Sequence, residues 1–249
     1  MIPVIIQARM GSSRLPGKVM KEIRNKSLLF YMINQIKSCK NVSKIIIATT
    51  NLEEDKKIVS FAKSQNVDVF CGDSKDVLDR FYQCGKEYES KSFVRLSGDS
   101  PFIDPNILDE CIHKFEQNNF DYLSNTIKKI NTKWKEGNNG YPTGMAVEVF
   151  NFESLRKTWE EATEPTDREH VTEYIFHNPK LFKLSGIENN ENLSNLRLVV
   201  DYFEDYVLAS KIITNFPENT LFTMKKLKEF LTINNKLKMI NSMYIQNDF

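Results

Sequence analysis

A short β-branched run, Ile2, Val4, Ile5 and Ile6, opens the chain and breaks at once into the polar loop QARMGSSRLPGK, residues 7–18. Such a run suits a central strand covered on both faces better than an amphipathic helix. The loop supplies two glycines (Gly11, Gly17), two hydroxyls (Ser12, Ser13) and three cations (Arg9, Arg14, Lys18), with Pro16 stiffening its exit. At the carboxyl end of a strand, a loop of this kind can turn backbone N–H groups and positive charge toward a polyphosphate. It is neither of the two generic phosphate motifs. Five residues separate Gly11 from Gly17 and Val19 follows Lys18, where a P-loop needs four and then Ser or Thr. The GxGxxG dinucleotide fingerprint is absent as well. A basic surface turn is the alternative reading, because turns favour Gly, Pro and Ser in any protein.

The pattern after the loop alternates. Leu28, Leu29, Met32, Ile33 and Ile36 stand at helical spacing within 27–39, and the run at 44–49 (KIIIAT) reads as a second buried strand. Asn51 or Glu53 can cap a helix reaching Ser64, with a third strand at 67–70. A helix over 76–89 precedes a strand at 92–96, the loop SGDSPFIDP and a helix over 106–117. Repeated units of this kind predict an α/β fold with an open, mostly parallel, doubly wound sheet and right-handed crossovers, which places ligands at the carboxyl ends of the strands. From 125 to 144 the pattern lapses into an exposed excursion carrying Lys128, Lys129, Lys133, Lys135 and the Gly137–Gly140 cluster. Beyond it a strand is expected at 144–150, helices at 152–161 and 168–177, a strand at 196–200 leading to Asp201, and helices at 202–214 and 223–231. No repeat or linker divides the 249 residues, which are expected to form one domain.

A net charge of +1 argues against nucleic acid as a partner, since that binding rests on many phosphate contacts. The four cysteines (Cys39, Cys71, Cys84, Cys111) show neither paired nor metal-ligand spacing and read as reduced, which points to the cytoplasm. No apolar stretch approaches the roughly 18–20 residues needed to cross a bilayer, so no membrane association is expected.

Asp99 and Asp201 each follow an apolar run closely, and hard carboxylate ligands at strand ends beside a phosphate loop are what a nucleotide-bound Mg²⁺ requires. Asp99 could instead cap a turn, and Asp104, directly before Pro105, reads as a helix cap. His170, in DREHVTEY, reads as structural; His113 and His177 have no partner spacing, and no Ser/His/Asp or Cys/His arrangement stands out.

These segments resemble the cytidylyltransferase family that includes the CMP-Kdo and CMP-acylneuraminate synthetases, and most closely its branch of spore-coat polysaccharide proteins of the SpsF type. QARMGSSRLPGK looks like the family's opening A-R-x-x-S-x-R-L-P-G-K segment; DVLDRF (76–81), RLSGDSPFIDP (95–105), GMAVEVF (144–150) and DREHVT (167–172) resemble further segments of the branch. LRLVVDYFED (196–205) looks like the closing L-x-x-T-V-D-x-x-E-D. The resemblance implies a nucleotide-diphospho-sugar transferase-like fold, transfer of CMP from CTP to a small acidic or phosphorylated sugar-like acceptor with release of pyrophosphate, use in surface polysaccharide or glycan synthesis, and Mg²⁺ as cofactor. By the same resemblance Arg9, Arg14 and Lys18 would hold the triphosphate, while Ala8, Gly11 and Ser12 would line the nucleotide through their backbone. Ser97, Asp79 and Arg80 would also lie near the nucleotide, Asp99 and Asp201 would hold the metal, and Arg14, Lys18 and Asp99 would act in catalysis. A homodimer joined through the 125–144 arm is implied too. Two departures stand out: Ser97 replaces the glutamine of the CMP-Kdo enzymes, and Val199–Val200 replaces a Thr-Val pair before Asp201. Base choice stays open between CTP and the GTP or UTP of a sugar-1-phosphate nucleotidyltransferase. A non-catalytic nucleotide-binding protein would be expected to lose the loop cations or the carboxylates, and both sets are present.

Overall fold

The structure is a computed structural model that describes residues 1–130, 133–137 and 139–245. In chain order it runs β1 (Ile2–Gln7), β2 (Glu22–Ile23), β3 (Lys26–Ser27), α1 (Leu28–Lys37), β4 (Val42–Thr50), α2 (Lys56–Ser64), β5 (Asp68–Gly72), α3 (Val77–Tyr88), β6 (Ser92–Ser97) and α4 (Pro105–Glu116). There follow β7 (Tyr122–Ser124), β8 (Ile127–Ile130), β9 (Lys133–Glu136), β10 (Glu148–Asn151), α5 (Phe152–Glu161), α6 (Pro165–His170), α7 (Glu173–His177), β11 (Leu184–Gly186), α8 (Phe203–Asn215) and α9 (Met224–Ile233).

Seven strands form one sheet in the order β11-β7-β10-β6-β1-β4-β5. β6, β1, β4 and β5 are parallel neighbours, β11 is parallel to β7, and β10 alone runs antiparallel to both β6 and β7. The alternation of β1 explains the layering. Val4 and Ile6 join a core with Leu29, Ile33, Leu108, Ile112, Leu208 and Leu227 of the helices on one face. Ile5 joins a second core with Val77, Leu78, Phe81, Leu155 and Ile175 on the other. Each such residue, removed from water, stabilises the fold by about 1.5–3 kcal/mol. The open, mostly parallel sheet expected from the alternation is therefore the one observed. Among the described residues no helix is long and apolar enough to cross a membrane.

Four expectations need correction. The segment 196–200 is not a strand: apart from one isolated bridge between Thr143 and Arg197, its backbone bonds go to loops, with Leu198 N–H donating to the Thr143 carbonyl at 2.7 Å and Val200 N–H to the Asp99 carbonyl at 2.9 Å. At 144–150 only Glu148–Asn151 is strand. Gly144, at φ 97°, passes so close to the 198–199 backbone that a Cβ there would meet the Val199 nitrogen at 2.4 Å. The helix expected over 168–177 is two short helices, broken at Val171, whose φ of 65° is strained for a β-branched residue. The break turns Thr172 Oγ1 onto the Glu148 carboxylate. Finally, the described part of the 125–144 excursion is a hairpin, β8 paired with β9, whose Ile127 is fully buried and whose Asn139 amide donates to the carbonyls of Ile127 and Ile187. Asn131, Thr132 and Asn138 of that excursion lie outside the described residues.

Candidate active site

β1 ends at Gln7, and the chain crosses the carboxyl edge of the sheet as a closed loop. Ala8 N–H still donates to Ala48 on β4 at 3.2 Å, and Gly17 N–H returns to the Met10 carbonyl at 2.9 Å. Gly17 sits at φ 66°, a left-handed turn that L side chains avoid, and it starts the 3₁₀ turn Lys18–Met20. The loop is anchored from below by Asp55, a fully buried carboxylate that accepts the Met10 N–H at 2.6 Å and the Thr50 hydroxyl. Ala8, Arg9, Gly11, Ser12, Ser13, Arg14 and Lys18 all line one cleft of about 370 Å³, which Gln7, Arg95, Ser97, Gly98, Asp99, Glu169 and His170 complete.

Lys18 stands at its centre. Its ammonium, with only 13% of the side chain exposed, donates to Asp99 Oδ2 at 2.5 Å and to Asp201 Oδ1. Arg14 approaches Asp201 Oδ2 at 3.4 Å from the solvent side. The two aspartates, 102 residues apart in sequence, meet because Val200 N–H is bonded to the Asp99 carbonyl, so the chain after Val200 leaves beside the chain after Asp99. Burial works against the Lys18 charge, but Asp99 and Asp201 outweigh it and hold the ammonium above its ordinary pKa. The contact with Tyr202 does most to raise Arg14; desolvation opposes it, and the charges of Asp201 and Asp99 add to the rise.

A second carboxylate organises the first. Asp205, buried in the opening turn of α8, accepts two bonds from Arg197 (2.9 Å each) and the backbone N–H groups of Asp201 and Tyr202 (3.0 Å each). Asn241 Nδ2 adds a fifth at 2.8 Å. Burial would raise the Asp205 pKa, yet these donors carry it below the ordinary aspartate value.

The other wall is built on Glu148 of β10, which pairs with Arg95 and accepts from the Tyr122 hydroxyl at 2.6 Å and from Thr172. Burial opposes the Arg95 charge and Glu148 more than restores it. Arg95 also reaches Gln7 Oε1 at 3.3 Å, so its charge is tied into the floor of the cleft. Glu169 and His170 stand at the rim, the His170 side chain about half exposed.

Among the residues singled out from the sequence, Ala8, Arg9, Gly11, Ser12, Arg14, Lys18, Ser97 and Asp99 line this cleft, and Asp201 meets them through Lys18. Asp79 does not: its carboxylate accepts from Gln83 Nε2 at 3.0 Å and Trp159 Nε1 at 2.8 Å, between α3 and α5. Arg80 is wholly buried beneath the loops, donating to the Asp73 carbonyl at 2.5 Å while Nε and Nη2 have no hydrogen-bond partner. Burial first and the Arg9 charge second pull its pKa down to about 10. Asp104 is the expected cap of α4, accepting from Asn106 N–H at 2.8 Å and also from Met224 N–H at 2.7 Å. Asp55, Arg197, Tyr202, Asp205 and Glu148 were not legible as site residues. Arg197, Tyr202 and Asp205 lie in the segment 196–205 and Glu148 in 144–150, both among the family-like segments, while Asp55 has only its position just beyond β4 as a signal.

Chemically, the arrangement offers three cations and a row of loop N–H groups to a chain of phosphates. Two carboxylates converge on a single cation among them, a donor set of hard oxygens that suits Mg²⁺. The sequence profile of the cytidylyltransferase family matches residues 3–246. The uncharacterized protein MJ1063 of Methanocaldococcus jannaschii is 37% identical over 98% of this chain and 96% of its own length. The spore coat polysaccharide biosynthesis protein SpsF of Bacillus subtilis is 34% identical over 81% of this chain and 82% of its own. A solved cytidylyltransferase from Leptospira borgpetersenii superposes with a TM-score of 0.87 at 30% identity, covering 100% of this chain and 98% of that one. With a profile match over nearly its whole length, the chain belongs to the cytidylyltransferase family.

Proposed function

We propose that the protein transfers CMP from CTP to an acidic sugar or related acceptor, with release of pyrophosphate, for the synthesis of a surface polysaccharide or glycan. The convergence of Arg14, Lys18, Asp99 and Asp201 at the carboxyl edge of the sheet carries this reading. An acceptor hydroxyl, its proton passing to solvent, or an acceptor phosphate oxygen attacks the α-phosphorus, and the bond from that phosphorus to the bridging oxygen of the β-phosphate breaks, its electron pair leaving with pyrophosphate. Arg9, Arg14 and Lys18 neutralise the charge that builds on the leaving group, and the loop N–H groups hold the chain of phosphates in line. Positioning and fixed charge suffice for such a step. Asp99 and Asp201 would hold Mg²⁺, which when bound supplies further charge neutralisation at the phosphates.

The name of SpsF supports the polysaccharide role, and the acceptor's acidic character rests on the likeness to the CMP-Kdo and CMP-acylneuraminate synthetases. The four free thiols and the absence of a spanning helix among the described residues fit action in the cytoplasm. By the family resemblance, the excursion from 128 to 140 and the apolar strand after it would join two copies as a dimer. Calorimetric titration with CTP, GTP, UTP and ATP, each with Mg²⁺, tests the central claim: binding selective for CTP supports it, and preference for GTP or UTP moves the protein to the sugar-1-phosphate nucleotidyltransferases.

A further inference from the structure

The last turn of the described chain packs on Tyr202, the ring that carries Arg14 of the cleft. Ser242–Tyr244 forms a 3₁₀ turn, and the Tyr244 ring stacks on Tyr202 with centroids 3.9 Å apart and planes 1° from parallel. The Tyr244 hydroxyl donates to Glu204 Oε2 at 3.1 Å, a contact secondary to the ring stack. Tyr202 in turn carries the Arg14 guanidinium, 5.3 Å from its ring centroid. Three residues earlier Asn241, 2% exposed, donates both to the Arg197 carbonyl at 3.0 Å and to Asp205 Oδ1 at 2.8 Å. Arg197 lies beside both tyrosine rings, 5.7 Å and 5.9 Å from their centroids.

We propose that this C-terminal segment is a clamp that positions the triphosphate machinery, Tyr244 acting on Arg14 through Tyr202 and Asn241 acting on Asp201 through Asp205. The inference rests on the nucleotide reading above for its consequence, but its contacts are independent of it. Arg14 has half its side chain exposed, so without a support it would spread over many rotamers. An aromatic face offers a cation a flat, favourable seat, and that seat is only as fixed as the ring itself. Tyr202 has the Tyr244 ring packed in parallel on it, so loss of Tyr244 frees Tyr202 and with it Arg14. Asn241 works on the opposite side of the same turn. It shares Asp205 Oδ1 with Arg197 Nε and so helps fix the carboxylate whose Oδ2 accepts Arg197 Nη2 and the N–H groups of Asp201 and Tyr202, the backbone from which the Asp201 carboxylate extends. Tyr244 and Asn241 touch neither phosphate nor acceptor and are positioning residues.

The test compares Tyr244→Ala, Tyr244→Phe and Asn241→Ala in the full chain, with Mg²⁺ and CTP as the calorimetric probe. Tyr244→Ala is expected to weaken CTP about three- to tenfold, Tyr244→Phe to keep the affinity of the parent, and all three to melt cooperatively as folded proteins. Equal affinity in Tyr244→Ala and the parent, or equal loss in Tyr244→Ala and Tyr244→Phe, overturns the clamp. A second measurement stands apart from nucleotide identity. The Arg14 Nε–Hε resonance, assigned by its loss in Arg14→Lys and recorded without ligand, is expected in the parent and in Tyr244→Phe but broadened or lost in Tyr244→Ala. If the parent binds no CTP, the cytidylyltransferase activity falls while this resonance still decides the clamp; identical spectra in all three proteins would refute it.

Discussion

At the scale of single residues, the cleft is an exercise in charge held against burial. Asp99 is one of two carboxylates confining the Lys18 ammonium, and both atoms of the pair are mostly withdrawn from water. Asp99→Asn keeps the shape and removes the charge that a metal and Lys18 both need. Turnover measured as pyrophosphate release is expected to fall by about a thousandfold or more, with the melting temperature close to that of the parent. Normal Mg²⁺-dependent turnover in that variant would remove Asp99 from the site. Asp205 gives a different signature. Its pKa lies below the ordinary value of aspartate, so its contribution to stability is fully present above about pH 4 and is lost as pH falls through the lower folded-state value. Asp205→Asn should therefore cost about 2–4 kcal/mol at pH 7, and the gap between variant and parent should shrink in denaturation curves recorded below about pH 4. A gap that persisted unchanged in acid would mean that the Asp205 charge is not what holds the turn.

At the scale of elements, legibility followed the strength of the periodic signal. α1, α3 and α4 were readable because each buries a face at 3.6 spacing, and β1, β4 and β6 because both faces are covered and leave short apolar runs. The failures share one cause. At 196–200 the apolar residues are buried as in a strand, but their backbone pairs with Thr143 and Asp99 in loops, and burial alone cannot reveal which partner a backbone group takes. At 168–177 the helical spacing is continuous, while the break at Val171 answers a long-range demand, the reach of Thr172 to Glu148 on another strand. The site was legible to the same degree: Arg14, Lys18 and Asp99 stood in a motif, whereas Asp55 and Glu148 act through contacts that only the assembled sheet creates. Gly144 makes the loop pairing testable. An alanine there would have to hold a φ of 97° and would place its Cβ 2.4 Å from the Val199 nitrogen. Gly144→Ala is expected to destabilise the fold by about 2–4 kcal/mol and to weaken Mg²⁺·CTP binding, because 196–200 carries Asp201. Undiminished stability in urea unfolding would show that the segment can yield without cost.

At the scale of the whole molecule, the sheet separates stability from chemistry. Two cores cover its faces and the β-strands' carboxyl edge holds the cleft, so the cations and carboxylates that meet there come from three places along the chain: the loop after β1, the turn after β6 and the segment before α8. A ligand seated in the cleft would join all three, and each is otherwise tethered to the body by a few polar contacts. Binding to the folded state alone then raises global stability by mass action, about 2.7 kcal/mol when the ligand is at a hundred times its dissociation constant. For a chain of this length that corresponds to a rise in melting temperature of roughly 5–10 °C. Mg²⁺ with CTP is expected to give a shift of that size at saturation, larger than CTP with EDTA, because the metal relieves the repulsion between the phosphates and the Asp99–Asp201 pair. Arg14→Ala should reduce the shift at a fixed CTP concentration without lowering the melting temperature of the free protein. A shift as large with EDTA as with Mg²⁺ would assign both aspartates to Lys18 alone, and no shift with any nucleoside triphosphate would mean that the cleft of Arg9, Arg14 and Lys18 binds another anion.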